Sequence, residues 1–143
     1  MAALPPPRFA SALSERIVVD RHTGLAIYGF DPVAYFTDAS PVMGRPELEY
    51  RFAGVIWRFR NEGNRAAFAH DPDVYMPRYG GYDPVALSRG VATPGNPLVW
   101  LVFGERLYLF LDPQARKGFA ADPGATIGSA DANWPEVRSR LVP

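Results

Sequence analysis

Two six-residue blocks, Gly29-Phe30-Asp31-Pro32-Val33-Ala34 and Gly81-Tyr82-Asp83-Pro84-Val85-Ala86, stand 52 residues apart and limit what this chain can fold into. A second set of matches follows at a spacing of 51. Phe59, Arg65, Phe68, Ala69, Asp71 and Pro72 recur as Phe110, Arg116, Phe119, Ala120, Asp122 and Pro123. Both blocks recur in order, so the chain reads as two copies of one strand–turn–strand–helix unit. One copy is placed at about residues 29–78 and the other at about 79–130, with a C-terminal helix at about 134–141.

Local chemistry sets the elements within each copy. Residues 17–19 and 25–28, either side of a polar turn, read as a short hairpin. Asp31 is placed to cap a helical turn that Pro32 begins, a position where no amide hydrogen is needed. Residues 37–47 read as a loop, and residues 49–52 and 55–59 as a hairpin about Ala53-Gly54. Asn61 is a cap for a helix reaching about His70, with Phe68 as its core anchor. Asp71-Pro72 then starts a short turn expected to carry Val74 and Tyr75 inward. In the second copy, residues 97–111 supply a hairpin around Gly104-Glu105, and Asp112-Pro113 caps a helix over 114–121. Ala130 to Pro135 leads into the last helix, with Trp134 closing one end of the core.

A hairpin with one apolar face is not stable alone. Two such units meeting face to face give an α+β fold with antiparallel strands, arranged as one shared sheet or two small sheets with helices outside. A chain of 143 residues can bury such a core, and residues 13–143 read as a single compact domain. Residues 1–12, with three consecutive prolines and no apolar run, read as a flexible arm rather than a signal or membrane anchor.

Lysine plus arginine equals aspartate plus glutamate, 15 each, which argues against nucleic acid as a partner and permits self-association as a homodimer. The chain has no cysteine, so thiolate metal sites, thiol nucleophiles and disulfides are excluded. No membrane partner is indicated, and a cytoplasmic location is the expectation.

Candidate sites each have a plain structural explanation beside a functional one. Asp31 and Asp83 precede prolines and read as caps, with metal ligation as the alternative. His22 and His70 are the only histidines and lie too far apart in sequence to make a recognisable metal spacing. Arg60, Asn61, Glu62, Asn64 and Arg65 form a polar junction that could hold an anion at the helix amides, or simply start a capped helix. Tyr75, Tyr79, Gly80, Gly81 and Tyr82 offer rings for a pocket wall or core edge, with glycines for positive φ or close chain approach. No catalytic arrangement of serine, histidine and acid, and no glycosidase-like carboxylate pair, can be assembled from these spacings.

The blocks Asp31-Pro32-Val33, Trp57 to Phe68 and Asp71-Pro72 through Tyr75 resemble the YHS domain. The likeness is closest to its subgroup with a Gly-Tyr-Asp-Pro-Val-Ala-Tyr-Phe opening, a Tyr-Gly-Gly-Tyr centre and a terminal Ala-Asn-Trp-Pro. These appear here at residues 29–36, 79–82 and 132–135, so the resemblance spans most of the chain. It implies a metal site at cysteines that follow the Asp-Pro-Val and flank the strand-to-helix junction. The matching positions hold Ala34, Arg60 and Asn64, and in the second copy Ala86, Leu111 and Ala115. Alanine has no donor and arginine is a cation. Where the subgroup often continues its centre with cysteine, Asp83 stands.

The reading that follows is a non-enzymatic YHS-like module without cofactor, catalytic residue or inherited metal site. It would bind a small ligand or protein partner in a cleft between the copies near Arg60, Asn64, Tyr79, Tyr82 and Asp83. The alternative is a metal or metal-cofactor protein using His22, His70, Asp31 or Asp83. A small enzyme working through arginine and carboxylates is the third reading.

Overall fold

In the computed structural model, residues 16–141 are described, and the arm expected at 1–12 lies outside them. Asp31 accepts from the amides of Val33 and Ala34 and so opens the short helix α1, Ala34–Thr37. The first hairpin pairs β1, Arg45–Phe52, with β2, Val55–Phe59. Val55, Trp57 and Phe59 alternate inward along β2, the period-two pattern of a strand with one buried face. The turn between them takes positive φ at both central residues, 56° at Ala53 and 79° at Gly54, which matches the right-handed twist of paired strands. Helix α2, Glu62–His70, is capped by the Asn61 side chain on the Asn64 amide, and α3, Pro72–Tyr75, follows.

The second half runs through the same sequence of events. Helix α4, Pro84–Leu87, is capped by Asp83, and β3, Asn96–Phe103, pairs with β4, Arg106–Phe110. Helix α5, Pro113–Ala121, is capped by Asp112 on the Ala115 amide. The register irregularity between Arg45 and Glu49 in β1 recurs between Asn96 and Trp100 in β3. Before it, Gly44 and Gly95 occupy matching places where a Cβ would meet backbone at 2.4 and 2.6 Å, so only glycine fits. Phe68 stacks against Trp57 and Phe59 at 5.0 and 5.2 Å, and Phe119 against Tyr108 and Phe110 at 4.9 and 5.1 Å.

The result is an α+β domain with two separate two-stranded antiparallel sheets. Each half has its own cluster of buried side chains, but the clusters share β4. Leu107 and Leu109 belong to the first cluster while Tyr108 and Phe110 belong to the second. A strand covered on both faces needs apolar residues at successive positions, and Leu-Tyr-Leu-Phe provides them. Val18 and Val19 divide between the clusters in the same way. The Tyr35 hydroxyl adds a cross-link by donating to the Pro97 carbonyl at 2.8 Å.

Four expectations need correction. The hairpin at 17–28 reduces to one antiparallel bridge, Val19 to Ala26. Ile27, Tyr28 and Gly29 take φ values of 42°, 59° and 85°, which turn the chain out of a strand. Residues 45–47, assigned to a loop, are the start of β1, held beyond the irregularity by the pairing of Arg45 with Phe59. Val74 faces outward, 41% exposed, because α3 is a single turn whose inward contact is Tyr75 on Phe36.

The fourth concerns the C-terminal helix, expected at 134–141. Helix α6 runs from Pro123 to Ser139 as one element that includes Pro135 and crosses the boundary drawn at 130. Asp122 caps it on the Ala125 amide, whereas its counterpart Asp71 precedes α3 without a side-chain cap bond. In the first half Pro77 holds Met76 extended and ends the helix; the matching position in the second half is Gly128, which permits continuation. Burial of Ala130 and Val137 and the stacking of Trp134 on Tyr79 offset the hydrogen bond that Pro135 removes.

Because β4 serves both clusters, the two halves should unfold together. Truncation by Leu109→Ala is expected to cost about 2–5 kcal/mol in urea unfolding, with fluorescence and far-UV circular dichroism transitions of wild type and variant coincident. Two resolved transitions in the wild type would contradict the shared core.

Candidate functional site

Asp31 is fully buried and both oxygens of its carboxylate accept hydrogen bonds. Beyond the two cap bonds on Oδ1, its Oδ2 accepts from the Arg60 amide and from Asn64 Nδ2, both at 2.8 Å. The three positions at which the resemblance expects metal-ligating cysteines, Ala34, Arg60 and Asn64, therefore converge on one carboxylate. Their chemistry does not fit a metal. Ala34 has no donor atom, the Asn64 amide donates to Asp31, and the Arg60 guanidinium is paired with Asp38.

Asp83 repeats this hub with fewer bonds. Its Oδ1 accepts from the Val85 amide at 2.7 Å and its Oδ2 from the Leu111 amide at 3.1 Å. Ala115 stands where the first half has Asn64, so no side-chain amide reaches the carboxylate. An open groove of about 580 Å³ lies here, lined by Asp83, Ala86, Leu111 and Ala115 with Arg89 and Lys117 at its edge.

The histidines lie elsewhere. His22 is exposed on the turn capped by Asp20, beside a hollow of about 180 Å³ that Tyr82 also lines. His70 is exposed at the end of α2, where the hydrogen bond and charge of Asp71 raise its pKa above the ordinary imidazole value. Among the described residues no three His, Cys, Asp or Glu side chains gather as metal ligands would. Among them, too, no helix is long and apolar enough to cross a membrane.

A cleft of about 780 Å³ lies between the two halves. The first half contributes the β1–β2 turn at Ala53 and Gly54, Asp73 and Met76; the second contributes Tyr79, Gly80, Arg106, Trp134 and Arg138. Arg16, Ile17, Pro77 and Arg78 also line it. Backbone geometry aims Tyr79 into this region. Tyr79, Gly80 and Gly81 take φ values of 58°, 64° and 95° in succession, a left-handed run that costs of order 1 kcal/mol at the tyrosine. Gly80 is required, because a Cβ there would lie 1.8 Å from the Arg16 carbonyl oxygen.

The strained turn sets Tyr79 against Trp134, with ring centroids 5.8 Å apart. Its hydroxyl donates to Asp131 Oδ1 at 2.7 Å, and Arg78 donates to the same oxygen at 2.9 Å. Burial, then the bond to the Asp131 carboxylate, pushes the Tyr79 hydroxyl far above the usual phenol range, so it stays protonated as a donor. The Arg78 guanidinium also lies 5.3 Å from the Tyr79 ring centre.

No family model, curated protein or solved structure shows a significant match to this chain. The site stands on its own geometry.

Of the five residues expected to share a cleft, Tyr79 lines the one between the halves. Arg60 and Asn64 lie at the Asp31 hub, Asp83 lines the groove of the second hub, and Tyr82 faces the hollow near His22 while touching Trp134. The four expected metal donors likewise fall in separate places. Sequence reading missed Arg16, Arg78, Arg106 and Arg138. One signal was available: Arg106 breaks the repeat, replacing the buried Val55 of the first half at the start of the second strand.

Two experiments test this geometry. Asp31→Ala should cost on the order of 3 kcal/mol in urea unfolding and more than Asp83→Ala, because it strands more donors. Gly80→Ala should lower Tm, whereas Gly118→Ala, with open space around its Cβ in α5, should raise it. Equal effects at the two glycines would mean that the Arg16 segment does not close over Gly80.

Proposed function

We propose that this chain is a non-enzymatic, YHS-like module that holds a small ligand in the cleft between its two halves. The observation that carries the reading is the cleft itself, built from segments distant in sequence and backed by a tyrosine held in a strained backbone conformation. Strain of this kind persists where surrounding contacts over-determine it, and it gathers at binding sites. The cleft volume lies within the range of small-molecule pockets, about 300–1,000 Å³.

The family likeness is supported by the convergence of Ala34, Arg60 and Asn64 on Asp31, and of Ala86, Leu111 and Ala115 about Asp83. Those places retain the scaffold while offering no thiolate. A binding role, rather than a catalytic one, is supported by the lining: arginines, aromatic rings, backbone and one described carboxylate, Asp73, with the tyrosine hydroxyl committed to Asp131. Self-association is part of the proposal, supported by the exposed Leu98, Val102 and Phe103 of β3.

Native mass spectrometry of freshly purified protein, joined to an amide NMR screen of small molecules, tests the reading. A retained or added ligand should shift the Gly54 and Gly80 signals and leave Gly118 in place, and Trp134→Ala should abolish the effect. Two results would overturn it: no molecule moving the cleft signals, or stoichiometric metal retained by wild type and lost in His70→Ala or Asp83→Ala.

A further inference from the structure

Outside the cleft four arginines are matched to carboxylates, Arg45 with Glu47, Arg58 with Glu49, Arg60 with Asp38 and Arg65 with Glu62, while Arg21, Arg51, Arg89, Arg116 and Arg140 stand apart from one another without an ion pair among the described residues. Around the cleft four arginines gather, and only Arg78 has a carboxylate partner. Arg16, Arg78, Arg106 and Arg138 line it, with Asp73 as the one carboxylate among the described residues of the lining, although the whole chain has zero formal charge. Asp131 neutralises Arg78 from one side.

The other three are held, or left open, without loss of charge. Arg16 donates through Nε to the Arg138 carbonyl at 3.2 Å, and Arg106 through Nη1 to the Asp73 carbonyl at 2.6 Å. Each bond to a backbone oxygen positions a guanidinium while leaving its remaining N–H groups and full charge available. The Arg138 guanidinium has no hydrogen-bond or ion-pair partner among the described residues. Arg138 also sits in the last turn of α6, the negative end of the helix dipole, and Arg16 covers its carbonyl there. A contact between residues 122 apart in the chain thus brings the Arg16 guanidinium to the end of the helix that carries Arg138.

We infer that the cleft is an oxyanion site, taking a small molecule with two or more phosphate or carboxylate groups and a flat apolar part. The inference rests on the cleft being the binding site and names its ligand class. Guanidinium groups in fixed positions suit the planar, two-pronged geometry of such anions. A partly enclosed cleft with an excess of positive side chains concentrates its field on them. Trp134 and Met76 supply apolar surface for the rest of the molecule.

Inorganic pyrophosphate and citrate are the probes, separating phosphate from carboxylate preference, with indole as the neutral comparison. At least one anion should shift the Gly54 and Gly80 amides and the Trp134 indole signal. Raising salt from about 50 mM to about 0.5 M should weaken that binding. Arg138→Ala should weaken it about tenfold or more with Tm nearly unchanged, since its guanidinium has no partner in the fold and only a weak interaction with the helix end is lost; Arg65→Ala, outside the cleft, should leave it unaltered. If indole moves the cleft signals and neither anion does, the oxyanion assignment fails while the cleft remains a binding site. If no probe moves them, both fail. Equal weakening by Arg138→Ala and Arg65→Ala would show adventitious ion binding and overturn the assignment.

Discussion

A strand covered on both faces holds this protein together. Leu107 and Leu109 of β4 look into the cluster around Trp57 and Phe68, while Tyr108 and Phe110 look into the cluster around Phe119. Two-stranded sheets are marginal by themselves, and neither cluster is complete without this strand. The same constraint makes the cleft. At its first residue β4 leaves the core, and there the side chain is Arg106 rather than the buried valine of the matching position. A cation cannot be drawn into the apolar interior without a large desolvation cost, so the side chain turns out of the core at that point. Arg106 instead fastens to the Asp73 carbonyl and becomes part of the cleft wall.

The two halves share a scaffold and differ where their chemistry lies. Both keep an aspartate that ties a helical turn to the strand-to-helix junction, and both keep the glycine that permits close backbone approach before the irregular register. Asn64 seals the first hub and Ala115 leaves the second open. Pro77 stops α3 after one turn, and the continued α6 brings Asp131, Trp134 and Arg138 to the cleft. The asymmetry, more than the repeat, builds the site.

Much of the fold was legible because its causes are local. Asn61 and Asp112 cap helices within a residue of where their spacing placed them, and the turns at Ala53-Gly54 and Gly104-Glu105 join the strands expected. The aromatic anchors Phe68 and Phe119 were visible from their recurrence and are both fully buried. Misreadings arose where distant contacts override local preference. Pro135 signals a helix break, yet α6 passes through it because Trp134 and Val137 are packed on either side. Leu25 to Tyr28 has the composition of a strand, but the turn at Ile27 and Tyr28 bends it away.

The sequence by itself determined the recurring blocks, their caps and turns, and the absence of thiolate chemistry, since each depends on residue type or on contacts a few positions long. Only the tertiary structure decided which polar residues meet. It separated Arg60, Asn64 and Asp83 from Tyr79, and it gathered Arg16, Arg78, Arg106 and Arg138 from four segments into one cleft. Charges spread along a neutral chain carry no local pattern; their sum acquires a sign at one place only when packing fixes the distances between them.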